Sequence, residues 1–289
     1  MQHTWLLCFA LAPLLSACVS DQQFHMDQDV PAPIEEDTAP PVEAPPDIPV
    51  ADCSVSPNPV TPPFEEARWD GRESYDPNGL EITDYNWTLA SQPEGSAIRM
   101  PPGNTAVREG FVPDLAGEYI GQLVVTNENG VQSEPCQTTL ESIPAEDLWV
   151  EMYWTQASDD MDLHLVRPGG TYESRTDDCY YSTCVGTSPD WGDRNSPADD
   201  PSLDLDDIPG TGPENINILQ PESGAFTVYV HDYEGSNGWG ADYNGTNQVT
   251  VNVYLNGSMV WTNTKGVSGD DTVTAFCSIN WETGVVSTM

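Results

Sequence analysis

In the stretch SDDMDLHLVRPGG, residues 158–170, Asp160, Asp162 and His164 occupy alternate positions. Side chains two apart on a β-strand share a face, so this spacing gathers two carboxylates and an imidazole on one side. Met161, Leu163 and Leu165 fill the positions between and read as the core side of the same strand. Acids and a histidine packed side by side repel or compete unless something positive sits among them. A second acidic run, DDPSLDLDD at 199–207, has five carboxylates and no base; it repeats the Asp-x-Asp spacing at Asp204 and Asp206 and is followed by Glu214 and Asn215. Hard oxygen donors in that number suit Ca²⁺, whereas Zn²⁺ takes more His or Cys than this part of the chain offers. The expected metal ligands are therefore Asp160, Asp162, Asp204, Asp206 and Glu214, shared between the two runs. Two other readings stay open: a solvated strand face that holds no ion, and a zinc site. The spacing is not that of an EF-hand loop.

A different chemistry is offered by HDYEGSNGWGADYNGTN at 231–247, where Tyr233, Trp239 and Tyr243 are interleaved with Asp, Asn and Gly. Aromatic faces flanked by polar groups can stack on sugar rings while hydrogen-bonding their hydroxyls, so these three are the candidate sugar contacts. The competing reading folds Trp239 back over the edge of a sheet. Catalysis has less support. The chain contains no G-x-S-x-G, H-E-x-x-H, P-loop or Rossmann glycine pattern. His164 and His231 are the histidines of its folded part, and no Ser or Cys has a base beside it in sequence. No catalytic residue and no enzyme activity are expected.

The charge balance narrows the partners. Against 47 Asp and Glu stand 8 Lys and Arg, a formal charge of −39, and Lys265 is the only lysine. Such a field repels phosphate backbones, which excludes nucleic acid, and it favours cations and screened surroundings. Length allows two modest domains and a linker within 289 residues rich in Pro and Gly.

The elements that must position these residues read as strands. DYNWTL (84–89), EYIGQLVVTN (118–127) and VQSEPCQTTL (131–140) are short β-rich runs, with DPNG (76–79) and NENG (127–130) supplying turns. QVTVNVYL, then Asn256-Gly257, then SMVWTNT predict a hairpin with a type I′ turn. GAFTVYVHDYEG (224–235) predicts a strand with Phe226, Val228 and Val230 inward. No stretch has a 3.6-residue apolar period, so the fold class expected is all-β. Residues 19–52 combine prolines with acids and no Lys or Arg, the composition of a disordered stalk.

Three resemblances add to this. LSAC, Leu15 to Cys18, ends a short apolar export segment and resembles the lipobox of bacterial lipoproteins, which implies a signal segment at 1–18 and lipidation of Cys18. Val19 after that cysteine implies the outer membrane or cell surface. RWDGRESYDPNGLEITDYNWTLASQPEGS, followed by REGFVPDLAGEYIGQLVVTNENGVQS, resembles a PKD domain, the immunoglobulin-like module first described in polycystin. This implies a β-sandwich at 53–145, a buried Trp87, and a Cys53–Cys136 disulfide between its first and last strands. The run from Trp154 through Asp160, Asp162 and His164 to Gly170, with the acidic run and the 224–233 strand, is similar to an exported β-sandwich family of uncharacterised function related in pattern to the prepeptidase C-terminal type; this implies a second, jelly-roll-like sandwich at 146–289. Cys179 and Cys184 are spaced for a small-loop disulfide, and Cys277 reads as a buried free thiol. Together these imply a cell-surface lipoprotein with a structural, adhesive or binding role, Ca²⁺ as its cofactor, and a membrane contact through the lipid anchor. Its external partner would be a protein or a polysaccharide, and a carbohydrate-binding module is the alternative.

Overall fold

The structure is a computed structural model that describes residues 48–186, 188–208, 210–233, 243–269 and 271–289. These residues belong to one compact unit. The fold is nearly all β, in antiparallel sheets stacked as sandwiches. The first sheet pair joins β1 (Ser54–Ser56), β2 (Ala67–Asp70) and β4 (Val107–Phe111) in the order β1-β2-β4. Against it lie β3 (Ile82–Ser91), β5 (Gly117–Asn127) and β6 (Cys136–Ser142), in the order β3-β5-β6. Their inner faces supply Trp69, Trp87, Phe111, Tyr119, Leu123 and Leu140 to one core. Trp87 is buried, and its indole N–H donates to the Ala106 carbonyl at 3.2 Å, so the ring is fixed at both its apolar and polar ends. Trp69 lies so close to the β5 backbone that a Cβ on Gly121 would fall 2.4 Å from its ring, which is why that strand position carries glycine.

The two expected turns are tied together. Gly79 and Gly130 take positive φ of 74° and 77°. Asp76 accepts from the Asn78 N–H, and its other oxygen accepts from Asn127 Nδ2 at 2.8 Å. Strand β6 starts only at Cys136, and Val131–Pro135 forms a loop, because Pro135 has no N–H to give a sheet.

The second sheet pair is larger. One sheet has the order β10-β11-β7-β13-β14: β7 (Leu148–Trp154), β10 (Ser202–Leu205), β11 (Glu214–Ile218), β13 (Thr246–Leu255) and β14 (Ser258–Ser268). The facing sheet has the order β16-β15-β12-β8-β9: β8 (Met161–Val166), β9 (Asp178–Cys179), β12 (Ala225–Asp232), β15 (Thr272–Asn280) and β16 (Val285–Thr288). Between them Val150, Met152, Leu163, Leu165, Phe226, Val228, Val230 and Phe276 are buried. The β13–β14 turn has φ of 51° at Asn256 and 74° at Gly257, both positive as a type I′ turn requires. A single four-residue helical turn, α1 (Tyr181–Cys184), is the one α-helix among the described residues. It is closed by the Cys179–Cys184 disulfide, and Cys53–Cys136 closes the first sandwich. Cys277 is buried and free. Two disulfides point to an extracellular or otherwise oxidising environment.

The outer face of the β7–β13 region does not meet solvent. Trp149 and Tyr254 pack with Ala116 of the first sandwich, and Gly95 lies over the Tyr153 ring, where a Cβ would be 2.3 Å away. Buried Glu151 closes this joint: it accepts from the Ala116 N–H at 3.0 Å, from Asn252 Nδ2 at 3.1 Å and from the Tyr254 hydroxyl at 3.2 Å. Among the described residues no helix is long and apolar enough to cross a membrane.

Candidate functional site: a buried carboxylate group beside a tyrosine wall

Strand β8 alternates apolar and polar residues, and the sequence leaves open whether its polar face is wet. All six of its residues are buried. The apolar side enters the core, while Asp162 and His164 are covered by the chain that follows the strand. His164 is flanked by Tyr180, stacked at 4.6 Å, and by Tyr172 at 4.7 Å. Its Nδ1 lies 2.8 Å from Asp178 Oδ2, and Asp178 also accepts from the Glu173 N–H. The solvated-face reading is thereby corrected: a turn and a short strand, stapled by Cys179–Cys184, fold back over what the alternation alone would leave outside.

Strand β9 pairs with β8 only at Leu165 and Val166, so among the described residues no strand pairs with the first half of β8 on that side. Glu214 occupies the gap. It begins β11 opposite Met152 and shares the inward face of Ile216 and Ile218, and Glu214 Oε2 accepts from the Leu163 N–H at 2.8 Å. Glu214 therefore caps an exposed strand edge from the opposite sheet. Asp206, just past the end of β10, reaches the same place from the surface. Oxygens of Asp162, Asp206 and Glu214 lie within 4.8 Å of one another, with Asp162 and Glu214 buried and Asp206 exposed. This small acidic group could hold a metal ion.

Its electrostatics are unfavourable as they stand. Burial raises the Asp162 carboxyl well above the usual range, and the charges of Asp160 and Asp206 push it further. Burial also raises Glu214, and the charges of Asp162, Asp206 and Asp160 add to it against the opposing Leu163 N–H bond. Partial burial, then Asp207, raises Asp206. Among the described residues no Arg or Lys forms an ion pair with them. The nearest compensating group is His231, whose Nδ1 is 3.9 Å from Asp162 Oδ2, but burial and His164 hold its pKa below the ordinary value. Asp162 Oδ2 and Glu214 Oε1 are buried without a hydrogen bond among the described residues. Such atoms normally carry a cost of about 1–3 kcal/mol each, more for charged groups.

Not every expected ligand comes to this place. Asp160 is buried beside the group, and its charge is felt by both buried acids, but its oxygens are not among those within 4.8 Å. Asp204 stays out. The β10–β11 register shifts between Leu203 and Leu205, and this bulge breaks the period-two rule, so Asp204 and Asp206 do not share a face. Asp204 instead accepts from Ser202 Oγ, Asn215 Nδ2 and Asn217 Nδ2. The residues that the sequence reading missed are Asp178, Tyr172, Tyr180 and Tyr181. Three of them lie in DDCYYSTC, where the paired cysteines mark a pinned loop but nothing marks what it covers, and Tyr172 lies just before it.

The expected sugar contacts divide. Tyr233 lies beside the acidic group, its ring 5.7 Å from His231 and 5.9 Å from Tyr181. Tyr243 belongs to the connection into β13, its N–H donating to the Ser158 carbonyl at 2.9 Å. Trp239 and the lipidation candidate Cys18 lie outside the described residues. A cleft of about 230 Å³ between the sandwiches opens beside Asp206, with Pro113 and Pro213 among its walls.

No protein-family model matches this chain, and no curated protein does. Among solved structures it is similar to one described as a carbohydrate-binding module from the β-sandwich superfamily, in work on the promiscuous specificity of such modules. The two are 11% identical with a TM-score of 0.28, over 79% of this chain and 83% of that one. A likeness at that level carries no argument about ligand.

Proposed function

We propose that this chain is an exported structural or binding protein rather than an enzyme, held at a bacterial cell surface through lipidated Cys18, whose second sandwich takes Ca²⁺ at Asp162, Asp206 and Glu214. The observation that carries the metal reading is the pair of buried carboxylates each with an oxygen that has no hydrogen bond among the described residues. Buried polar atoms are normally partnered, and a cation that takes oxygen ligands would supply one partner for both acids. Three carboxylates suit a hard cation of variable coordination; Ca²⁺ takes 6–8 oxygens in loose geometry, so waters or other oxygens complete the set. Bound there, the ion would neutralise the edge of β8 and cross-link the two sheets through Asp162 and Glu214. The first sandwich, tied by Glu151 to the outer face of the second, serves in this reading as a spacer above the acidic stalk.

The test is the thermal midpoint of the chain in EDTA, in Ca²⁺ and in Mg²⁺, beside an Asp162→Asn, Glu214→Gln variant. A ligand held only by the folded state stabilises by about 2.7 kcal/mol at one hundred times its Kd. Ca²⁺ should raise the midpoint of the wild type and leave the variant unmoved. Equal midpoints with and without Ca²⁺, or an equal effect of Mg²⁺ or plain salt, would sink the metal reading.

A further inference from the structure

The acidic group is not closed over by protein. Asp206 is exposed, and three carboxylates leave part of a Ca²⁺ coordination sphere to other oxygens. Glu214 Oε1 is buried and without a hydrogen-bond partner among the described residues, so it is free to ligate the ion and leaves the positions on the Asp206 side to outside oxygens. Beside it runs a train of rings from the interior to the surface: His164 against Tyr180, Tyr180 edge-on to Tyr181 at 5.5 Å, and Tyr181 against Tyr233 at 5.9 Å. Tyr181 is 37% exposed although its neighbour Tyr180 already covers the strand face. Tyr233 in turn lies 5.7 Å from the His231 ring, whose Nδ1 is 3.9 Å from Asp162 Oδ2, so the rings lead from the surface to the acidic group.

Resting on the calcium reading above, we infer that this place binds a neutral polysaccharide, with sugar hydroxyls completing the coordination of the ion and a sugar ring packing on Tyr181 and Tyr233. The chemistry selects the class. A sugar offers neutral oxygen pairs for the open positions and an apolar C–H face for a tyrosine ring. An anionic ligand is disfavoured, because Asp160, Asp162, Asp206 and Glu214 already exceed the charge of a divalent ion, within a chain of formal charge −39. Tyr181 is held by Tyr180 and Tyr233 before any ligand arrives, which lowers the ordering cost of binding.

The experiment is affinity electrophoresis of the full chain through gels holding galactomannan, xyloglucan, xylan or hydroxyethyl cellulose, with carboxymethyl cellulose as the charged counterpart, in Ca²⁺ and in EDTA. At least one neutral polymer should retard the protein in Ca²⁺ and not in EDTA, and carboxymethyl cellulose should not. Tyr181→Ala should weaken retardation about three- to tenfold, the worth of one stacking contact. The same variant should keep the wild-type rise of thermal midpoint in Ca²⁺, which shows that it is folded and loaded. A midpoint that rises in Ca²⁺ without retardation by any neutral polymer overturns the sugar inference and leaves the metal reading standing. So does retardation that survives EDTA, that Tyr181→Ala leaves unchanged, or that favours the charged polymer. A midpoint that Ca²⁺ does not move overturns both.

Discussion

Asp76 in the first sandwich and Asp162 in the second are both buried acids, and they are perturbed in opposite directions. Asp76 accepts from Asn127 Nδ2 and from the Asn78 N–H, and the Asn127 bond foremost holds its carboxyl below the ordinary value. Asp162 has acidic neighbours and one oxygen with no hydrogen bond among the described residues, and burial foremost drives it up. Both have little solvent-accessible surface, but Asp162 lies deeper in the protein, and only Asp76 has a donor shown at each of its two oxygens. A structural carboxylate arrives with its donors supplied by the fold, whereas a carboxylate that waits for a ligand does not. The same contrast runs through the cross-links. The first sandwich is closed by a disulfide between residues 83 apart, and the second has one that spans only 5.

The largest effect that sharpens this contrast comes from removing the disulfides one at a time. Loop-closure entropy alone assigns about 4.5 kcal/mol to a bridge of the longer span and about 2 kcal/mol to the shorter. A Cys53→Ala, Cys136→Ala variant should therefore lose roughly twice the unfolding free energy lost by Cys179→Ala, Cys184→Ala in urea denaturation. A reversed order would mean that the pinned loop over His164 holds the second sandwich together by contacts rather than by chain entropy.

Next in size is the joint between the sandwiches. Burial carries Glu151 from 4.5 to about 7, against the three donors that favour its anion. A folded-state pKa above the unfolded one means that the native state holds the proton more tightly. Its contribution is complete below about pH 4.5 and is lost as pH rises to about 7. A displacement of that size is worth roughly 3 kcal/mol. Glu151→Gln cannot titrate, so between pH 5 and pH 8 its stability should fall less than that of the wild type. The groups facing Glu151 are the Ala116 N–H, Asn252 and the Tyr254 hydroxyl, and burial raises Tyr254 far above this window. A wild-type slope that survives Glu151→Gln would place the titration elsewhere.

What the sequence made legible follows from which forces are local. Turn chemistry is local, and Asn256-Gly257, Asp76 and Asn127 form the turns their residue types require. Period-two alternation found β12 and the inward Phe226, Val228 and Val230, because one face of that strand meets one core. At β8 the same rule placed Met161, Leu163 and Leu165 in the core but left open whether the polar face is covered, and at β10 it misled. At β8 a later segment covers the polar face, and at β10 a bulge shifts the register, and neither event is written in the strand's own residues. The meeting of Asp162 with Glu214 depends on a gap beside β8 that β9 leaves unfilled, which only the sheet order reveals.

The smallest effect is also the one that tests the comparison most directly, because its two halves have opposite signs. Asp76→Asn puts a neutral amide where an anion accepts from Asn127 Nδ2 and the Asn78 N–H. It should lower the thermal midpoint by about what one charge-assisted hydrogen bond contributes. Asp162→Asn, measured in EDTA, removes a charge that burial, Asp160 and Asp206 all oppose, and no good hydrogen bond from its Oδ2 is lost with it. Its stability should stay level or rise, by up to about 1 kcal/mol, with the midpoint following. In Ca²⁺ the order should invert, since the wild type gains the ion and Asp162→Asn does not. If Asp162→Asn instead falls as Asp76→Asn does, with or without Ca²⁺, then Asp162 is a structural acid whose donors come from residues around it, and the distinction between the two sandwiches disappears.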